Sequence, residues 1–227
     1  MLGFVKFTRR PFALIRHGLI AIFLLIPCAS SLAVSEAGPG KKIVYSHPAI
    51  DSAEELKGRA LVEAIRAGGY VLYVRHTEAG AITSDCTKNN LTPAGEEDAR
   101  QLGDSLRDLR IPIGKVLSSQ VCRVQDTARL LNAGPVVVTA DLTNIELREG
   151  HDFHAGRMQR LAETPDAGKN TLLIGHMQGG NTFDQALHLD YGEMIVFRPD
   201  GKGKSAPIGR IRLDDWPDLV IAVRRQN

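Results

Sequence analysis

The chain has 227 residues, 43% hydrophobic and 24% charged, with a formal net charge of +2. That length suits one domain with a full core. The small basic excess excludes a charge-driven nucleic-acid binder: Lys6, Arg9, Arg10 and Arg16 supply it, and without residues 1–33 the balance turns to −2.

Residues 1–33 contain no acidic residue. Their basic head is followed by an apolar run from Leu19 to Ile26 and by the small-residue end "PCASSLAVS". This is the layout of a secretory signal peptide, with cleavage expected after Ala33. The run is too short for a membrane-spanning helix, which takes about 20 apolar residues. "TRRPFAL" (Thr8 to Leu14) resembles the twin-arginine export signal. Either route leads to a Gram-negative periplasm or the cell exterior, with membrane contact only through the transient signal. An uncleaved anchor is the alternative. Cys28 follows Pro27, where a lipidation signal favours a small residue.

Residues 34–50 hold Gly, Pro and a Lys pair and read as an arm, followed by a single domain over 51–227. "DSAEELKGRALVEAIRAGG" spaces Leu56, Ala60, Leu61, Ala64 and Ile65 as one face of a helix, stopped by Gly68 and Gly69. "YVLYV" reads as a buried strand. A polar loop from Thr77 to Leu91 follows. Thr92 and Pro93 then open a helix, cap residue before proline. "KVLSS" reads as a strand, "QVCRVQDTARLLNAG" as a helix ending at Gly134, and "VVVTA" as a strand. Next come helical "FHAGRMQRLAETP", strand "NTLLIGH" and helical "GGNTFDQALHL". "EMIVFRPDG" and "IGRIRLDDW" are expected to close the chain as strands. This alternation predicts a three-layer α/β/α sandwich with a mostly parallel central sheet. In such sheets ligands bind beyond the carboxyl ends of the strands.

Three strands end in side chains that bear on chemistry. "YVLYV" delivers Arg75 and His76. "KVLSS" delivers Ser118 and Ser119, with Arg123 one helical turn on. "NTLLIG" delivers His176, followed by Gly179 and Gly180. Singly, each is a common structural residue. Together, two imidazoles and two guanidiniums on one crevice point to a phosphate monoester, whose oxygens match arginine forks. "LIRHGLI" carries a second Arg-His pair, Arg16 and His17, but no strand, second arginine or second histidine surrounds it.

"YVRHTEAG", "NNLTPAGEEDARQLGDSL", "VLSSQVCRVQDTARLL" and "TLLIGHMQGGN" resemble, in order and spacing over roughly residues 55–215, the signatures of the histidine phosphatase superfamily, the phosphoglycerate-mutase-like proteins, branch 1. The resemblance implies His76 as nucleophile, forming a phosphohistidine. It implies Arg75, Arg123 and His176 as phosphoryl ligands, with Thr77 and Gly179 beside them. It also implies an acidic proton donor after the third strand. "TADLTNIELREG" offers Glu146 and, as the alternative, Glu149. No cofactor or metal is implied. His151, Asp152 and His154 lie close together in a charged stretch that reads as a solvated loop.

Thr77 stands where many relatives have Gly. The Arg-x-Pro that follows Arg-His-Gly in acid phosphatases and phytases is absent, as are the long insertions of glycolytic mutases. The expected activity is therefore that of a phosphomonoesterase. Cys86 and Cys122 match a subset of small exported members with cysteines at both places, which implies a bridge. The expected substrate is a small phosphorylated molecule, such as a lipopolysaccharide sugar phosphate. A phosphosugar-binding protein without turnover and a phosphohistidine protein phosphatase are the rival readings. Nothing in the residues reads the alcohol part of a substrate.

Overall fold

In the computed structural model the described residues are 55–80, 85–86, 90–143, 153–177 and 189–225. Every described residue lies within one compact unit, Ile43–Asn227. The expected leader (1–33) and arm (34–50) lie outside the described residues, as does nearly all of the helix expected over 179–189.

Among the described residues, six strands form one sheet in the order β3-β2-β4-β1-β5-β6. They are β1 (Val71–Arg75), β2 (Ile113–Ser119), β3 (Val136–Thr139), β4 (Asn170–Gly175), β5 (Met194–Pro199) and β6 (Ser205–Ile211). β1 and β2 each pair parallel with β4, and β2 also pairs parallel with β3. β5 runs antiparallel to β1, and β6 antiparallel to β5. The expected mostly parallel sheet is therefore present, with an antiparallel pair along one side.

The sheet sorts its side chains by the two-residue period of a strand. Leu72, Val74, Val116, Leu172, Ile174, Met194 and Val196 enter one apolar cluster. Helices α1 (Gly58–Ala67), α2 (Pro93–Asp108), α3 (Cys122–Leu131) and α5 (Trp216–Arg224) contribute to the same cluster. Val71, Tyr73, Leu117, Leu173, Ile195 and Phe197 enter a second cluster on the opposite face, with Leu161 of α4 (Phe153–Ala162). Helices thus cover both faces, as the sandwich requires.

Several boundaries differ from the sequence expectation, three of them at element ends that shape the fold. α1 begins at Gly58, and Leu56 ahead of it donates its N–H to the Ile208 carbonyl of β6 at 2.7 Å. α3 stops at Leu131, where Asn132 adopts φ 49, a left-handed conformation that Asn tolerates better than most residues. The strand expected through Trp216 is corrected: β6 ends at Ile211, a 3-10 turn follows over Leu213–Asp215, and α5 closes the described chain. Pro217 suits a first helical turn, and Trp216, Val220 and Val223 are buried at helical spacing. The α2 start follows the sequence: Thr92 Oγ1 accepts from the Gly95 N–H at 3.0 Å, with Pro93 next to the cap.

Candidate active site

The register of the parallel strands sets the site. Arg75 lies opposite Gly175, so β1 and β4 end side by side and His176 follows directly. β2 flanks β4 on its other side, and Ser119 ends it. His76, Ser119 and His176 therefore meet at adjacent carboxyl ends, the position expected of a ligand crevice. α3 leaves the β2 end and turns Arg123 inward one turn later.

Arg123 stands between the two imidazoles. Its Nε–H donates to His76 Nε2 at 3.1 Å, and its Nη2 is 3.4 Å from His176 Nδ1. The ring centroids are 5.5 Å apart in an edge-on arrangement. A guanidinium only donates, so both contacted nitrogens present lone pairs. The proton of His76 is then on Nδ1, which donates to the Thr77 carbonyl at 2.8 Å. The Nε2 lone pair faces the pocket. By the same logic the proton of His176 is on Nε2, which sits 3.0 Å from Ser119 Oγ. Ser119 Oγ in turn donates to Thr143 Oγ1 at 3.3 Å.

Burial keeps both rings neutral. His76 is lowered from 6.5 to about 3, chiefly by loss of solvent and then by the Arg123 and Arg75 charges, against the opposing Thr77 hydrogen bond. His176 is lowered to about 2, again first by burial and then by His76 and the neighbouring arginines. Burial also lowers Arg123, with Arg75 adding to the shift.

The pocket around these groups has a volume of about 250 Å³. Arg75, His76, Arg123 and His176 supply its polar lining. Ala79, Gly80, Met177 and Tyr191 complete the described wall. Arg75 is held from the β5 side: its Nη1 donates to the Leu189 carbonyl at 2.8 Å, and its Cζ lies 3.8 Å from the Tyr191 ring centroid.

The backbone at His176 is fixed by a core phenol. Tyr73 Oη donates to the His176 carbonyl at 3.0 Å and accepts the His176 N–H at 3.1 Å. A Cβ on Gly175 would collide with that hydroxyl, so the close approach requires glycine there.

Of the residues expected at the site, Arg75, His76, Arg123 and His176 come together around one pocket. Thr77 is wholly buried and is not among the pocket-lining residues. Its hydroxyl and N–H both lie 3.2 Å from Thr127 Oγ1, tying the residue after His76 to α3. Cys86 and Cys122 form a disulfide with Cα atoms 4.8 Å apart, joining the loop after His76 to the first residue of α3. Glu146, Glu149, Gly179, Gly180, His151 and Asp152 lie outside the described residues, as does the His154 side chain. Among the described residues, no group of three or more His, Cys, Asp or Glu is placed to hold a metal ion.

Sequence reasoning assigned no role to Tyr191, Tyr73, Thr127 or Thr143. Each reaches the site through tertiary contact, and only "DYG" at 190–192, an aromatic residue inside a turn signal, left a trace in the sequence.

The family model of the histidine phosphatase superfamily (branch 1) matches residues 71–188, from β1 to beyond His176. The chain belongs to the histidine phosphatase superfamily, branch 1. By that membership this histidine phosphatase is a phosphatase. Among solved structures it is similar to the protein histidine phosphatase SixA complexed with tungstate, at 17% identity and TM-score 0.48, over 64% of this chain and 98% of that one. It is also similar to phosphoglycerate mutase from Plasmodium falciparum, at 16% identity and TM-score 0.40, over 61% and 87% of the two chains. The alpha-ribazole phosphatase from Shigella flexneri gives 17% and 0.39, over 61% and 94%. No curated protein matches the chain.

Proposed function

We propose that this histidine phosphatase hydrolyses phosphomonoesters through a phosphohistidine on His76. The observation that carries the reading is the Nε2 lone pair of His76, neutral and aimed at a pocket lined by two guanidiniums. A neutral imidazole is a competent nucleophile near pH 7 without a base to activate it. His76 Nε2 bonds to phosphorus as the ester P–O bond breaks. Arg123 leaves the lone pair for the phosphoryl oxygens, and Arg75 and His176 hold the others, offsetting charge in the transition state.

The departing alkoxide takes its proton from Glu146, with Glu149 as the alternative. Water then attacks the phosphohistidine, giving a proton to the same carboxylate, and releases inorganic phosphate. Thr77 acts through its carbonyl, which fixes the tautomer of the nucleophile. Gly179 is assigned to the phosphoryl-binding turn after His176.

The leader over residues 1–33 supports export, and the Cys86–Cys122 bridge suits an oxidising compartment. Among the described residues, no helix is long and apolar enough to cross a membrane. We assign the mature chain to the periplasm or the cell exterior, where lipopolysaccharide sugar phosphates are within reach.

The test is release of phosphate from a chromogenic aryl phosphate by the chain from Val34 onward, with His76→Ala as control. Turnover abolished in His76→Ala, together with an acid-labile phosphoryl adduct on His76 after quenching, is expected. Turnover surviving in His76→Ala overturns the phosphohistidine route. A wild-type chain that binds vanadate yet turns over nothing is a binding protein.

A further inference from the structure

We infer that Tyr191 reads the alcohol half of the substrate, and that the substrate class is phosphomonoesters of ring-bearing alcohols. The inference rests on the hydrolase reading above and names its specificity.

Tyr191 is mounted on a tight turn leading into β5. Gly192 adopts φ +68, and its N–H reaches the carbonyls of Arg75 at 3.2 Å and His76 at 3.4 Å. The Asp190 N–H donates to the Glu193 carboxylate at 2.7 Å, and that buried carboxylate is paired with Arg210 at 3.3 Å. The turn is thus bonded to the same backbone that carries the nucleophile. One face of the ring lies on Arg75, and its centroid is 5.4 Å from that of His76.

Even so, Tyr191 remains 40% exposed. Val137, Val138 and Ile221 are the other large apolar residues exposed to this degree among those described, and none of them lines the pocket. An aromatic surface left in water beside a nucleophile is surface that a ligand can cover.

The rest of the described wall points the same way. Arg75 and Arg123 are its only cations, and the hydrolase reading assigns both to the phosphoryl group. Ala79, Gly80, Met177 and Tyr191 offer no cation for a second anionic group on the alcohol. They do offer an aromatic face and a polarizable thioether. A flat ring or the C–H face of a cyclic alcohol gains contact there at little rotamer cost, which a flexible chain does not.

The experiment compares benzyl phosphate with propyl phosphate, alcohols of similar leaving ability, for wild type, Tyr191→Phe and Tyr191→Ala. In wild type, kcat/KM is expected to favour the benzyl ester by about tenfold, the scale of one apolar contact. Tyr191→Phe keeps the ratio and Tyr191→Ala brings it to about one. Because Tyr191 also holds Arg75, the ratio is the readout and not the absolute rate. A wild-type ratio of about one, or a preference that survives in Tyr191→Ala, overturns the inference. Binding of benzylphosphonate against propylphosphonate reads the same ratio without turnover. A chain that shows the Tyr191-dependent binding preference but hydrolyses neither ester overturns the hydrolase reading and leaves the assignment of Tyr191 standing. A chain that hydrolyses both esters equally does the reverse.

Discussion

The Nε–H of Arg123 donates to Nε2 of His76 at 3.1 Å, so the guanidinium occupies the direction from which phosphorus must approach. In the proposed reaction Arg123 must therefore leave this lone pair before phosphorus is attacked, and substrate binding exchanges one hydrogen bond for others to oxygen. Arg123→Ala is expected to lower kcat by about 10²- to 10³-fold, the usual scale for one transition-state donor. Arg123→Lys is expected to recover only part, because an ammonium cannot span two imidazoles as a planar fork does. Steady-state kinetics on an aryl phosphate checks both, and a lysine variant at wild-type rate contradicts the assignment.

Stability is expected to fall as pH drops below about 6.5, the ordinary histidine value. His76 and His176 resist protonation in the fold down to about 3 and about 2, whereas the unfolded chain takes up both protons near the ordinary value. Protons then favour the unfolded state, and each ring costs roughly 2 kcal/mol at about pH 5. Urea melts between about pH 7 and 4.5 measure this, and the slope should shrink in His76→Asn. Ring resonances of His76 that titrate near the ordinary value in the folded chain contradict it.

Ser119→Ala removes the partner of His176 Nε2 inside the core. It is expected to destabilise by about 1–3 kcal/mol, the cost of a buried donor left unsatisfied. Turnover should fall as well, because the ring loses the contact that sets which nitrogen faces the pocket. Thermal melts and kcat read the two effects separately. Full stability together with full activity would show that the hydroxyl chain to Thr143 is dispensable.

A non-reducing digest of the exported protein should yield Cys86 and Cys122 in one linked peptide pair. Reduction, or the Cys86→Ser and Cys122→Ser double variant, should cost about 2–4 kcal/mol. Two thiols that alkylate freely in the exported protein exclude the bridge in that compartment.

A chain that starts at Val34 lacks Arg16 and His17 and is expected to keep full activity, since the Arg-His pair that lines the pocket is Arg75 and His76. Loss of turnover on removal of residues 1–33 contradicts this.

The order of elements and the convergence of Arg75, His76, Arg123 and His176 on one pocket were legible in the sequence because the signals are local. Short continuous apolar runs mark β1 and β4, Thr92 and Pro93 mark the start of α2, and the side chains at the ends of β1, β2 and β4 are the ones that meet. What escaped depends on contact across the fold. Nothing near Tyr73 in sequence indicates that its hydroxyl clamps His176, 103 residues away. The helical period of Trp216, Val220 and Val223 was hidden behind "IGRIRLDDW", whose alternation reads as strand until Pro217 starts the turn. Thr77 is expected from the sequence beside the phosphoryl ligands, while in the fold it is buried and its hydroxyl lies 3.2 Å from Thr127 Oγ1.

The placement of β4 between β1 and β2 governs when the pocket comes into being. β1 and β2 are made first but cannot be neighbours, since the ladder that joins them runs through residues 170–175. A nascent chain that has emerged only as far as Arg123 holds Arg75, His76 and Arg123 with no β4 to bring them together. Closing that gap is a long-range event of the kind that folds slowly. The pocket cannot form before residues 170–175 have been made. A chain kept unfolded until it reaches its compartment would carry no phosphate-binding activity on the way.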